Sequence, residues 1–155
     1  MKQQGIKIVS NNKRATHDYE LLEKFEAGLV LTGTEIKSIR AGRVSLQRSF
    51  VQPRDGELWL IDAHIAPYEH GNRENHDPVR PRKLLLHRRE INKIIGQLSQ
   101  KGLTVVPTKM YLKNGLAKIE IALARGKRKY DKRADLARKD AERQVQRALR
   151  EKYRY

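Results

Sequence analysis

Five histidines, His17, His64, His70, His76 and His87, have the widest chemical range in this chain, and no two stand three or four positions apart. A metal site built on any of them would need acidic partners from distant segments, so they read as solvated or turn histidines. Gly126-Lys127 lacks the earlier glycine and the following Ser or Thr of a phosphate-binding loop, and no G-x-S-x-G elbow occurs. Cysteine is absent, which removes disulfides, thiolate zinc sites and a cysteine nucleophile. The carboxylates are scattered and no pair forms a general acid and base. The sequence supports no catalytic activity, metal or cofactor.

Polar residues with recognition chemistry cluster elsewhere. Asn11-Asn12-Lys13-Arg14-Ala15-Thr16-His17-Asp18-Tyr19 brings donors, acceptors and an aromatic together just before the first expected strand. Pro67 to Pro78 is long for a connection without structure of its own, and such loops often carry function; Asn, His and Asp also simply build turns. Tyr111 and Lys118 fall opposite each other on one sheet face, where they suit base stacking with phosphate contact or an ordinary cross-strand pair.

Charge names the class of partner. The 155 residues carry 34 Lys and Arg against 18 Asp and Glu, a formal charge of +16, which points to nucleic acid or an anionic surface. The start of the chain lacks an apolar signal region, and the longest uninterrupted apolar runs, such as Ile121 to Ala124, are far short of the roughly 20 residues of a membrane span. A cytoplasmic polyanion-binding protein is expected. The last 31 residues hold 13 basic and 5 acidic side chains, half the net charge. The chain divides into a folded body, 1–124, and a basic C-terminal arm, 125–155.

The body reads mainly as strands. Asn114-Gly115 is a type I′ hairpin signal, and a two-residue loop there pairs Leu112 with Ala117, Met110 with Ile119, Thr108 with Ile121 and Val106 with Leu123 on one apolar face. Tyr111 with Lys118 and Lys109 with Glu120 lie on the other. Further strands are expected at 19–32, bent near Gly28, and at 49–53, 57–65 and 83–87. Thr32 and Glu35 have capping-box spacing, Ile36 and Ile39 share a face, and Gly42 stops that helix. Ile91, Ile94, Ile95 and Leu98 mark a second helix over 88–101. The pattern suggests an oligonucleotide-binding-like β-barrel, closed or partly open, with two to three helices.

In the arm, Ala134, Ala137, Ala141, Val145 and Ala148 form a helical stripe. Alanine buries little area, so an isolated helix there is marginal. The arm is expected to be disordered when free and helical when its charge is neutralised; the alternative is a terminal helix packed on the body.

Together these segments resemble the SsrA-binding protein (small protein B) family, the bacterial partners of transfer-messenger RNA. The likeness covers residues 8–140. It rests on Asn12-Lys13-Arg14-Ala15, His17-Asp18-Tyr19, Phe25-Glu26-Ala27-Gly28, Thr32-Gly33-Thr34-Glu35-Ile36-Lys37-Ser38 and Ala41-Gly42-Arg43. Asn75-His76-Asp77-Pro78, Arg82-Lys83-Leu84-Leu85-Leu86-His87 and Tyr130-Asp131-Lys132-Arg133 continue it in order. The resemblance implies a barrel that binds the tRNA-like domain of that RNA and brings it, with elongation factor Tu, to stalled ribosomes. It further implies an arm that becomes helical in the empty messenger channel of the small subunit, beside the decoding centre.

By the same likeness the RNA-gripping positions are Asn12, Glu26, Leu86 and Lys118, with Arg14 and His17 nearby; Tyr111 joins them from the strand pattern. The arm would act on ribosomal RNA through Lys127, Arg128, Lys129, Tyr130, Asp131, Lys132, Arg133, Arg138 and Lys139. The protein is expected to be a monomer and not an enzyme. A structural ribosomal protein with an rRNA-binding extension is the alternative; an RNA-modifying enzyme lacks a catalytic cluster.

Overall fold

The computed structural model describes residues 5–68, 75–99, 102–127 and 139–148. Its elements are β1 (Ile6–Asn11), α1 (Lys13–Asp18), β2 (Tyr19–Leu29), α2 (Gly33–Arg40), β3 (Val44–Ser45), β4 (Phe50–Arg54), β5 (Glu57–Ile61), β6 (His64–Ile65), β7 (Arg82–Leu85), α3 (Arg88–Leu98), β8 (Leu103–Lys113) and β9 (Leu116–Gly126). A further helix, α4, spans 139–148. Seven strands form one sheet in the order β1-β8-β4-β5-β7-β2-β9, and β9 pairs back onto β8, so the sheet closes as a ring. This is the mainly β, oligonucleotide-binding-like architecture expected, with β1 laid along the outer half of β8. Among the described residues no helix is long and apolar enough to cross a membrane.

Asn114 and Gly115 both take positive φ, as a type I′ turn requires, and set the β8–β9 register. Leu112 faces Ala117, Tyr111 faces Lys118, Met110 faces Ile119 and Lys109 faces Glu120. Beyond Lys109 the register slips by one. Pro107 faces Ile121 and Val105 faces Leu123, where Thr108 and Val106 were expected. The cause is a bulge at Pro107-Thr108, where proline has no N–H for the ladder. The bulge carbonyls instead accept from Asn12: its backbone N–H reaches Thr108 O at 2.8 Å and its side-chain Nδ2 reaches Pro107 O at 2.8 Å. The slip sends Val105 into the main core and Val106 into a small cluster with Ala15 and Ala124 beneath α1.

The main core fills the ring with Phe25, Leu58, Leu60, Leu84, Met110, Ile119 and Ile121, capped by Ile39 of α2 and by Ile91 and Ile94 of α3. Burying such a side chain contributes about 1.5–3 kcal/mol. The expected strand over 57–65 is broken by Asp62, whose φ is +60°, so its end becomes β6, which pairs with β3.

The capping box is present: Thr32 N–H donates to Glu35 Oε1 at 2.8 Å. Glu35 does more than cap. Fully buried, it accepts from Arg80 Nη2 at 2.6 Å and from Arg82 Nε at 2.6 Å, and the Arg82 side chain is itself fully buried. Arg82 also donates to Ala63 O at 2.7 Å and to Asp77 O and Pro78 O at 3.3 and 3.2 Å. Burial alone would raise the Glu35 pKa; the hydrogen bonds from Arg80, the Thr32 backbone and Arg82 outweigh it and hold it at about 2. This clamp fastens the returning 77–82 segment to α2.

Candidate nucleic-acid interface

Direct pairings across the outer face align Leu85 of β7, Gly28 of β2, Lys118 of β9, Tyr111 of β8 and Ile8 of β1 in one row. Neighbouring strands are about 4.8 Å apart, so the row spans most of that face. Two positions along β2 lies Glu26, opposite Glu120.

Gly28 gives the row its shape. A Cβ there would lie 3.4 Å from Leu85 Cβ and 3.8 Å from Lys118 Nζ, so glycine keeps open the floor of a groove of about 340 Å³. Leu85, Leu116, Ile36, Arg40 and Lys118 also line it. Its lining is largely apolar with Arg40 and Lys118 as its cations, which suits an unstacked base with a neighbouring phosphate.

Glu26, the acid beside this row, has an open side: its side chain is 40% exposed. Tyr111 donates its hydroxyl to Glu26 Oε2, and Lys113 Nζ stands 3.5 Å from Oε1. The Tyr111 hydrogen bond holds the carboxyl below its ordinary range despite some desolvation, and Lys113 and Lys118 lower it further. Burial and then Glu26 push the Tyr111 phenol up, so it remains a donor. Glu120 faces Lys109 in register, but its carboxylate takes the Thr108 hydroxyl, while Lys109 Nζ sits 5.9 Å from the Tyr111 ring centre.

The structure brings Glu26, Tyr111 and Lys118 together as expected but changes what Tyr111 can do. It is only 6% exposed, its ring covered by Lys109 and its hydroxyl engaged, so it offers no open platform for base stacking. Leu86 packs against the main core, whereas Leu85 is 50% exposed and lines the groove. Alternation along β7 carries that signal: Arg82 and Leu84 point inward, so Leu85 points out. Gly28, Leu85 and Arg40 were not assigned to the site from the sequence.

Asn12, Arg14 and His17 gather at a different place. Asn12 is 4% exposed and is the N-cap of α1: Oδ1 accepts from Ala15 N–H at 3.3 Å while Nδ2 holds the β8 bulge. Its amide acts within the fold, so it positions α1 rather than presenting itself. Arg14 Nε lies 3.6 Å from Asp18 Oδ2, and His17 Nδ1 lies 2.9 Å from Asp18 Oδ1. Lys127 N–H donates to Asp18 O at 2.9 Å, so the chain enters the arm beside α1. Seven residues of β2, about 23 Å of extended strand, separate this corner from Glu26.

The segment between β6 and β7 has a plain structural use where it is described. Asn75 receives Tyr68 N–H and donates to Tyr68 O, and His76 bridges Thr34 Oγ1 and Ile65 O, each at 2.9 Å. Among the described residues no three His, Cys, Asp or Glu gather as a metal site. Of the arm residues named above, Lys139 lies in α4, where every residue is exposed. Arg128, Lys129, Tyr130, Asp131, Lys132, Arg133 and Arg138 lie outside the described residues.

A family model described as SmpB protein matches residues 9–151. The chain belongs to the SmpB family. It is 58% identical over 151 residues to the SsrA-binding protein of Desulfitobacterium hafniense, covering 97% of each chain. It is 60% identical over 148 residues to that of Shouchella clausii, covering 96% of this chain and 95% of the relative. The solved structure "tmRNA-SmpB: a journey to the center of the bacterial ribosome" contains a chain 53% identical to this one, with a TM-score of 0.65, covering 77% of this chain and 84% of that one.

Proposed function

We propose that the protein binds transfer-messenger RNA through the outer face of β2, β9 and β8 and brings it to stalled ribosomes for trans-translation. The observation that carries this reading is similarity to SsrA-binding proteins over 97% of the chain, body and basic arm together. The groove floored by Gly28 takes an unstacked part of the tRNA-like domain, Lys118 contacts phosphate, and Glu26 accepts from base or sugar donors. Arg14 and His17, placed by Asn12, extend the basic surface toward the arm. Elongation factor Tu accompanies the complex, and the protein acts as a cytoplasmic monomer.

The arm, Lys127 through Lys139 and beyond, reads the ribosome. It docks as helix on ribosomal RNA where the messenger channel is empty, because a channel that holds messenger has no room for it. Occupancy itself is then the signal. Removing everything after Lys129 tests the division of labour. Affinity for transfer-messenger RNA should stay within about two-fold, while tagging of stalled chains is lost. Loss of RNA affinity together with tagging would overturn the scheme.

A further inference from the structure

The Glu26 carboxylate sits near Lys113 and Lys118, opposite Glu120. An unrestrained glutamate on a strand surface would swing to the nearest ammonium and be neutralised as an acceptor. Here its firmest partner is an uncharged one. The Tyr111 hydroxyl, carried from β8 across β9, takes Oε2, while the nearest lysine nitrogen stays 3.5 Å from Oε1. A hydroxyl donor fixes the carboxylate without cancelling its charge, and of a carboxylate's roughly four acceptor positions about half stay free beside Tyr111 and the longer Lys113 ion pair. The Tyr111 ring cannot swing away, being buried between its strand neighbours with Lys109 over its face.

We infer that Tyr111 is a positioning residue of the RNA site, holding the Glu26 carboxylate at a fixed place and orientation to accept an N–H or 2′-hydroxyl hydrogen bond from an unpaired nucleotide. This rests on the reading of Glu26 as an RNA-contacting residue. Tyr111 then contributes to RNA selection through Glu26 and touches no base by stacking. The phenol also favours the ionised carboxyl, so the acceptor persists to lower pH than an isolated glutamate would allow.

The test is a double-mutant cycle on the full-length protein, with transfer-messenger RNA as probe and affinity read by filter binding. Tyr111→Phe keeps the ring and removes only the hydroxyl. It should weaken binding about ten-fold, the scale of one hydrogen bond to a charged group. Glu26→Gln should weaken it at least as much. In the double variant the Tyr111→Phe loss should shrink to under two-fold, because nothing is left for the hydroxyl to position. In the single Tyr111→Phe protein the acid limb of the binding profile should move to higher pH. Additive losses, or an unchanged acid limb, would overturn the positioning role while leaving Glu26 in the site. Wild-type affinity in Glu26→Gln would remove Glu26 from the site, and the inference with it.

Discussion

Glu35 and Glu26 are the same residue type in one molecule, each held by hydrogen bonds and each kept ionised, yet their surroundings differ in one respect. Around Glu35 two guanidiniums and a backbone N–H occupy the carboxylate completely inside the core. Around Glu26 a neutral hydroxyl and one loose lysine leave the outer side open. The buried acid joins α2 to the segment returning toward β7 and has nothing left to offer a ligand. The surface acid contributes little to the fold and keeps its acceptors. A carboxylate amid positive charge is thus informative about binding only once its partners have been counted.

The largest effect that could break this contrast lies at Arg82. Arg82→Met leaves Glu35 buried with Arg80 as its one guanidinium and should cost about 3–5 kcal/mol in chemical denaturation. A loss below about 1 kcal/mol would show the clamp to be dispensable. Next comes acid. The folded Glu35 carboxyl binds its proton less tightly than the unfolded one, so its contribution is complete above pH 4.5 and disappears as pH falls through about 2. The amount at stake is on the order of 3 kcal/mol. Denaturation midpoints measured across that window should fall in the wild type and flatten in Glu35→Gln.

Asn12 sharpens the contrast from between the two, since family likeness assigns it to RNA and geometry assigns it to the fold. Asn12→Ala should lower stability by about 1–2 kcal/mol, the scale of a lost N-cap. Any loss of RNA affinity should follow the displacement of α1 and be matched by weaker amide protection there. The smallest stability change is expected at Glu26, where Glu26→Gln should stay within about 0.5 kcal/mol. A melting-temperature shift as large as that of Asn12→Ala would erase the distinction drawn between the two acids.

Much of this was legible in the residues. Asn114-Gly115 set the hairpin and the register down to Lys109, Thr32 and Glu35 formed their capping box, and the isoleucines of α3 marked its buried face. These are local signals: the determining residues are within a few positions of one another. The bulge at Pro107-Thr108 had a local sign in the proline, but the group that satisfies its carbonyl is 95 positions away, the Asn12 side chain. Helix α1 was missed although Asn12 has N-cap chemistry, since six residues give no periodicity to read. Choosing Leu86 over Leu85 came from family likeness; alternation along β7 would have favoured Leu85.

The sequence alone determined the net positive charge, its division along the chain and the strand-rich pattern, because composition and periodicity are additive along a chain. Only the tertiary structure decided which acid is consumed by the core and which is left open. Glu35 meets Arg82 across 47 positions and Tyr111 meets Glu26 across 85. A hydrogen bond depends on atoms being within about 3 Å, a condition that chain closure into the ring imposes and that spacing along the chain does not encode.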